Sequence, residues 1–442
     1  MSSRARLFVH LILALASGPA SSVPNASAPG IYNSSTTPSN LPWNTYNYCN
    51  APHVNAKHYS KPNQDAKAEL VFLNVMMRHH KRTPDNLYPN ENELNPTAGW
   101  DCTNFLQFNY GGGGAQVYHN TLTPPTHPFR SQMWNGTCDE GQLTAGGLQD
   151  AIAHGKDFWE LYHGTLGFLN QVDESEIHIR TSTEDRTMQV ASGMLFGMDP
   201  ASAQRSWPVY TQPSTIDSLV PSYSCPQADA VRAAYQSVPA WTDHLSQNAG
   251  LKARLDATLG TAGLADWASW YDHFFDTFSS RTCNGHTLPC NSTGACVSEA
   301  DAAQVFAIGD FEYNYIWNTA ENATEYNQLT FGVMFSELAQ NFISFSAGHE
   351  THRLRLYVGH DGSLIRLASG LGFGQQSSLR WPALGSEVVM EVWKLKGEFY
   401  VRVLHEGTVV EGMSWVPISV FVDKLQAQVP ADIFQRCMQV SA

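Results

Sequence analysis

The chain has 442 residues, of which 43% are hydrophobic and 15% charged, with 40 acidic side chains against 26 basic ones and a formal net charge of -14. That much apolar material fills one large domain or two smaller ones. The acidic balance argues against nucleic acid as a partner, and any anionic ligand must be held by a local cluster of bases.

The N-terminus sets Arg4 and Arg6 before an apolar stretch, Leu7 to Ala16, followed by small residues. This is the layout of a cleaved secretory signal over residues 1–22. The stretch is too short to cross a bilayer, which takes about 20 apolar residues. The mature protein is therefore expected to be secreted, with no membrane attachment after cleavage. Residues 23–48 are rich in Pro, Ser, Asn and Thr and read as a disordered polar tail. Sequons at Asn25, Asn33, Asn135, Asn291 and Asn322 suit a glycoprotein. Eight cysteines suit an oxidising compartment and disulfides.

The folded part is expected from residue 49. Over 69–77 the run ELVFLNVMM is apolar almost throughout, which predicts a strand covered on both faces. It ends in Arg78, His79, His80, Lys81 and Arg82. A helical pattern follows over 144–166, then a strand over 176–182. The next helix, over 183–198, opens on Thr and acids and carries Arg186. Residues 225–327 hold helical patterns only and predict an α-helical cap inserted between two parts of an α/β domain, 49–224 and 328–442. After the cap come a helix over 329–346 and strands over 354–359, 387–395 and 398–407. The first of these strands ends in His360 and Asp361. Alternating strands and helices make the fold class α/β: a central mixed, mostly parallel sheet with helices on both faces, plus the inserted cap.

Three strand ends thus carry polar groups, and open α/β sheets bind ligands outside the carboxyl ends of their strands. Arg78, Arg82 and Arg186 with His79 and His360 suit a bound phosphate, because arginine donates paired hydrogen bonds and keeps its charge at any working pH. A histidine can serve as nucleophile, and Asp361 is placed to give the leaving alkoxide a proton. GHETH, 348–352, is one residue short of a zinc-helix spacing, and GGGG, 111–114, lacks the Gly-Lys-Ser/Thr of a phosphate loop.

RHHKRTP (78–84) resembles the RHGxRxP signature of the histidine acid phosphatases, the family of phytases and lysosomal-type acid phosphatases. GQLTAGG (141–147), IRTSTEDRT (179–187), GHDGSL (359–364) and PALGSEVVMEVW (382–393) are similar to its further segments, in family order. The resemblance implies His79 as nucleophile, Arg78, Arg82, Arg186 and His360 as phosphate clamp, and Asp361 as proton donor. It also implies a small phosphomonoester substrate and no metal or other cofactor. One departure is His80, where the family has glycine, a residue that marks positive φ or close backbone approach. A second reading of the same residues is a secreted binder of phosphorylated ligands without turnover. The resemblance further implies a Cys225–Cys437 disulfide. Six cysteines then remain in two groups of three, so full oxidation within one chain requires a bridge from the early segment to the cap.

Overall fold

The computed structural model describes residues 30–62, 67–95, 97–102, 106–108, 117–119, 121–375 and 377–439. The expected signal segment 1–22, the sequon at Asn25 and the loop 111–114 lie outside the described residues.

The strands are β1 (Glu69–Arg78), β2 (Leu106–Phe108), β3 (Val117–His119), β4 (Ile177–Thr181), β5 (Leu354–Gly359), β6 (Glu387–Leu395), β7 (Glu398–His405), β8 (Thr408–Val409) and β9 (Val416–Pro417). The main sheet runs β4-β5-β1-β6-β7-β8, with β9 also on β7. β1 lies inside it because both its faces are apolar: Phe72, Leu73, Val75, Met76 and Met77 are all buried.

The sheet is mixed, as expected, but it is not mostly parallel. β4, β5 and β1 run parallel, whereas β6 and β7 are antiparallel additions. For β7 the reason is local. Lys396 (φ 52) and Gly397 (φ 92) join β6 to β7, and a two-residue turn with both φ positive returns the chain antiparallel.

The helices are α1 (Glu91–Leu94), α2 (Ala145–Trp159), α3 (Asp185–Met198), α4 (Pro226–Gln236), α5 (Pro239–Gln247), α6 (Ala249–Leu259), α7 (Asp272–Cys283), α8 (Glu299–Asn314), α9 (Ala323–Ser346), α10 (Asp361–Leu371), α11 (Ile418–Gln426) and α12 (Ile433–Met438). α2 and α3 cover the face of β1 that carries Leu73, Val75 and Met77. α9, α10 and α11 cover the face that carries Phe72 and Met76. α4 to α8 follow one another with no strand between them, and their aromatic core takes in Tyr48 and Trp381 from outside.

Residues 30–48 correct the expectation of a solvated tail. Ile31, Asn47 and Tyr48 are buried. The Tyr48 N–H donates to Gly30 (2.7 Å), and the Tyr46 hydroxyl donates to the Trp381 carbonyl (2.7 Å). Two tyrosines and an isoleucine in a polar stretch bury enough surface to anchor it. Of the sequons, Asn33 and Asn322 are exposed and Asn135 and Asn291 half-buried. The cysteines pair as Cys49–Cys283, Cys102–Cys138, Cys225–Cys437 and Cys290–Cys296. The first ties the segment before β1 to α7. Among the described residues no helix is long and apolar enough to cross a membrane.

Candidate active site

Parallel register brings three strand ends together. Arg78 of β1 pairs with Gly359 of β5, and Thr181 of β4 with Val358. The residues that follow them, His79, His360 and Ser182, therefore lie along one edge of the sheet. His79, Arg82, Arg186, His360 and Asp361 line a cavity of about 250 Å³, together with Asp85, Glu184, Val220, Gly362 and Ser363. Arg78 does not line it. It is buried behind Asp361, with Nη2 3.2 Å from Oδ2, and also donates to the Tyr48 hydroxyl and the Pro382 carbonyl.

The loop after β1 is held by residues 141–144. Thr83 N–H donates to the Gln142 carbonyl (2.9 Å) and Thr144 N–H to the Lys81 carbonyl (3.0 Å). Thr144 then caps α2 by accepting from Gly147 N–H (3.2 Å). Gly141 has φ 62, and a Cβ there would stand 2.0 Å from Asp85 Oδ1 and 2.7 Å from Arg186 Nη1. Glycine is needed where those two side chains meet.

Carboxylates hold the two cavity arginines in place. Arg82 Nη2 lies 2.8 Å from Asp276 and 3.1 Å from Asp85. Arg186 Nη2 lies 3.4 Å from Asp85, and its Nη1 donates to the Gly141 carbonyl (3.2 Å) and Glu184 (3.3 Å). The Nε atoms of both are buried and without a partner.

His79 is almost wholly buried, with its Nδ1 2.8 Å from the His80 carbonyl oxygen. A carbonyl only accepts, so Nδ1 carries the proton and Nε2 keeps its lone pair. Burial, then the charges of Arg186, Arg78 and Arg82, hold the His79 imidazole well below the usual histidine range. His360, with Nε2 2.9 Å from Ser182 Oγ, is brought down to about 3 by burial and Arg186, against Asp361 and Asp85. Both rings are thus neutral in mild acid. For Asp361 burial works against ionisation, but Arg78, the Trp381 N–H (2.7 Å to Oδ2), Arg82 and His360 outweigh it and hold the carboxyl below the usual range.

His80 does not take a positive φ and does not line the cavity. Its ring is buried against Gly385, where a Cβ would stand 2.4 Å from Cε1, and 5.6 Å from the His154 ring. The open space that a glycine provides is supplied here at Gly385. Among the described residues no group of three or more His, Cys, Asp or Glu could hold a metal ion; positive charge around the cavity comes from arginine.

Residues 69–406, more than half of the chain, match the family model of the histidine phosphatase superfamily (branch 2). The chain belongs to that superfamily. This histidine phosphatase is 25% identical over 366 residues to counting factor 60 of Dictyostelium discoideum, across 80% of its own length and 82% of that protein. It is 26% identical over 264 residues to lysosomal acid phosphatase of Homo sapiens, across 56% of its length and 59% of the human chain, less than two thirds of it. The solved structure of Hafnia alvei phytase superimposes with a TM-score of 0.55 at 13% identity, covering 85% of this chain and 99% of the other, which is a likeness of fold. In class the chain is a phosphomonoester hydrolase.

Several residues of this histidine phosphatase's site escape the sequence reading. Asp85 carries a faint signal, three residues after Arg82 in the same loop. Asp276 carries none: it comes from α7, 194 residues away from Arg82. Trp381 and Tyr48, which position Asp361 and Arg78, sit in irregular segments with no periodic pattern to read.

Proposed function

We propose that this phosphatase hydrolyses phosphomonoesters in two steps through a phosphohistidine at His79. In the first, bound phosphate offsets the arginine charge that lowers Asp361, so the carboxyl takes up a proton from solvent; the His79 Nε2 lone pair then forms a bond to phosphorus, the ester P–O bond breaks, and Asp361 gives that proton to the departing alkoxide. In the second, water attacks phosphorus and its proton passes to the Asp361 carboxylate. The N–P bond breaks and inorganic phosphate leaves. Arg82 and Arg186 carry the charge that builds on the phosphoryl oxygens, with the neutral His360 ring beside them and Arg78 adding its charge from behind Asp361. The observation that carries this reading is the short Nδ1 contact of His79 with its neighbour's carbonyl, which reserves Nε2 for attack in a cavity walled by two arginines. Four disulfides and the expected signal support a secreted or lumenal setting. Acid quench of a phosphorus-labelled substrate in the first turnover is expected to trap label on His79. Label on a serine or aspartate would overturn the mechanism.

Trp381 bears on the proton donor. Its ring lies between Phe275 (4.0 Å) and Tyr313 (3.9 Å), and its N–H donates to Asp361 Oδ2. Trp381→Phe keeps the stack and removes the donor. The N–H favours the ionised carboxylate, so its loss is expected to raise the Asp361 carboxyl and to move the pH profile of kcat on alkyl phosphates to higher pH. The shift on p-nitrophenyl phosphate, whose leaving group needs no proton, is expected to be smaller. Parallel assays of the two esters check this.

The lowered histidines also make stability depend on pH. The unfolded chain takes up protons on histidine as pH falls through the ordinary value of 6.5, while His79 and His360 in the fold do not until far lower. Their contribution is fully present above that value and is lost steadily as pH falls toward their folded values. Bound phosphate sets negative charge beside both rings and raises them, so the melting temperature is expected to fall less on acidification when phosphate is present. Calorimetry with and without phosphate checks the difference.

A further inference from the structure

The catalytic cavity and a second concavity of about 300 Å³ share two lining residues, Glu184 and Arg186. The catalytic cavity is built for an anion: Arg82 and Arg186 line it, and their buried Nε atoms lack partners. The second concavity has the opposite sign. Asp139, Glu140, Glu184 and Asp185 line it with one cation, Arg186, which Asp85, Glu184 and the Gly141 carbonyl already engage. All four of these carboxylates are exposed. Glu140 is raised above the ordinary glutamate value by partial burial and by its neighbours Asp139 and Asp85, as crowded like charges require. Val220, an exposed apolar residue, also lines the catalytic cavity.

We infer that the substrate is a singly phosphorylated alcohol whose leaving group carries a positive charge, as in the phosphate esters of small amino alcohols. This rests on the phosphatase reading above and specifies its leaving group. The cavity arginines serve the one phosphoryl group undergoing transfer. A second phosphate on the same molecule meets carboxylates and no free cation among the lining residues, whereas an ammonium group meets complementary charge. Inositol polyphosphates are therefore poor substrates, although a phytase shares the fold.

The test compares kcat/KM of the full chain on phosphoethanolamine, propyl phosphate, phosphoglycolate and inositol hexakisphosphate, with p-nitrophenyl phosphate as reference. At about pH 5 the ammonium and the carboxylate of the first and third are both charged. These two esters are nearly the same size, so their ratio reads charge alone. The cationic ester is expected to exceed the anionic one by about tenfold or more at low salt, with the neutral ester between them. The ratio is expected to shrink as salt screens the rim. It is also expected to shrink in the Glu140→Gln, Asp185→Asn double variant. Equal rates on phosphoethanolamine and phosphoglycolate, or a preference for inositol hexakisphosphate, would overturn the inference and leave the phosphatase reading standing. A ratio unchanged in the double variant would overturn its assignment to this rim. No turnover of any ester, p-nitrophenyl phosphate included, would overturn the phosphatase reading and this inference with it.

Discussion

His79→Ala is expected to lower kcat by roughly 10⁴-fold or more on every phosphomonoester, because it removes the atom that forms the covalent intermediate. The fold should survive. His79 is buried, but its side chain makes one hydrogen bond, to the carbonyl of the next residue. The backbone on either side is held separately: His79 N–H donates to the Gly359 carbonyl (3.0 Å), and Gly385 N–H donates to the His79 carbonyl (3.1 Å). The variant also deletes a buried imidazole that resists protonation, so it should lose less stability on acidification than the parent. Circular dichroism and a melting curve check the fold, and a stopped assay checks the rate. Residual activity within tenfold of the parent would mean that another group attacks phosphorus.

Asp361→Asn is expected to slow alkyl phosphates by about 10²–10⁴-fold, the usual worth of a positioned general acid. p-Nitrophenyl phosphate should lose far less, because nitrophenolate leaves without a proton. The amide has one acceptor oxygen, so it keeps either the Trp381 or the Gly362 N–H bond and turns its NH2 toward the other donor, while the side chain's size is preserved. It gives up the ion pair with Arg78, but the guanidinium retains Tyr48 and the Pro382 carbonyl. Equal slowing of both esters would reduce Asp361 to a positioning role.

These two residues were legible in the chain for a physical reason. A buried strand is written as an apolar run, and a polar group at its end has no core to enter, so RHH after β1 and HD after β5 stand out locally. Arg186 was legible too, because a helix opening on Thr and acids fixes where the turn after β4 lies. The parallel register of β4, β5 and β1 then does the rest, since flush strand ends bring His79, Ser182 and His360 to one edge.

What the tertiary structure alone decided has no local signature. The antiparallel placement of β6 beside β1 has no turn to mark it, because most of the chain lies between these two strands. Residues 30–48 look solvated by composition, yet Tyr46 and Tyr48 find partners at Trp381 and Arg78, more than 300 and 30 residues on. His80 stands where the family has glycine, and its ring turns onto Gly385, which comes from the far end of the chain. Asp276 reaches Arg82 from α7, and Glu140 lines the second concavity from the turn before α2. The sequence alone determined which groups do the chemistry, because strand ends write them in runs. Side chains that hold those groups and charge their surroundings come from distant segments, and only packing of the whole chain brings them within a few ångströms.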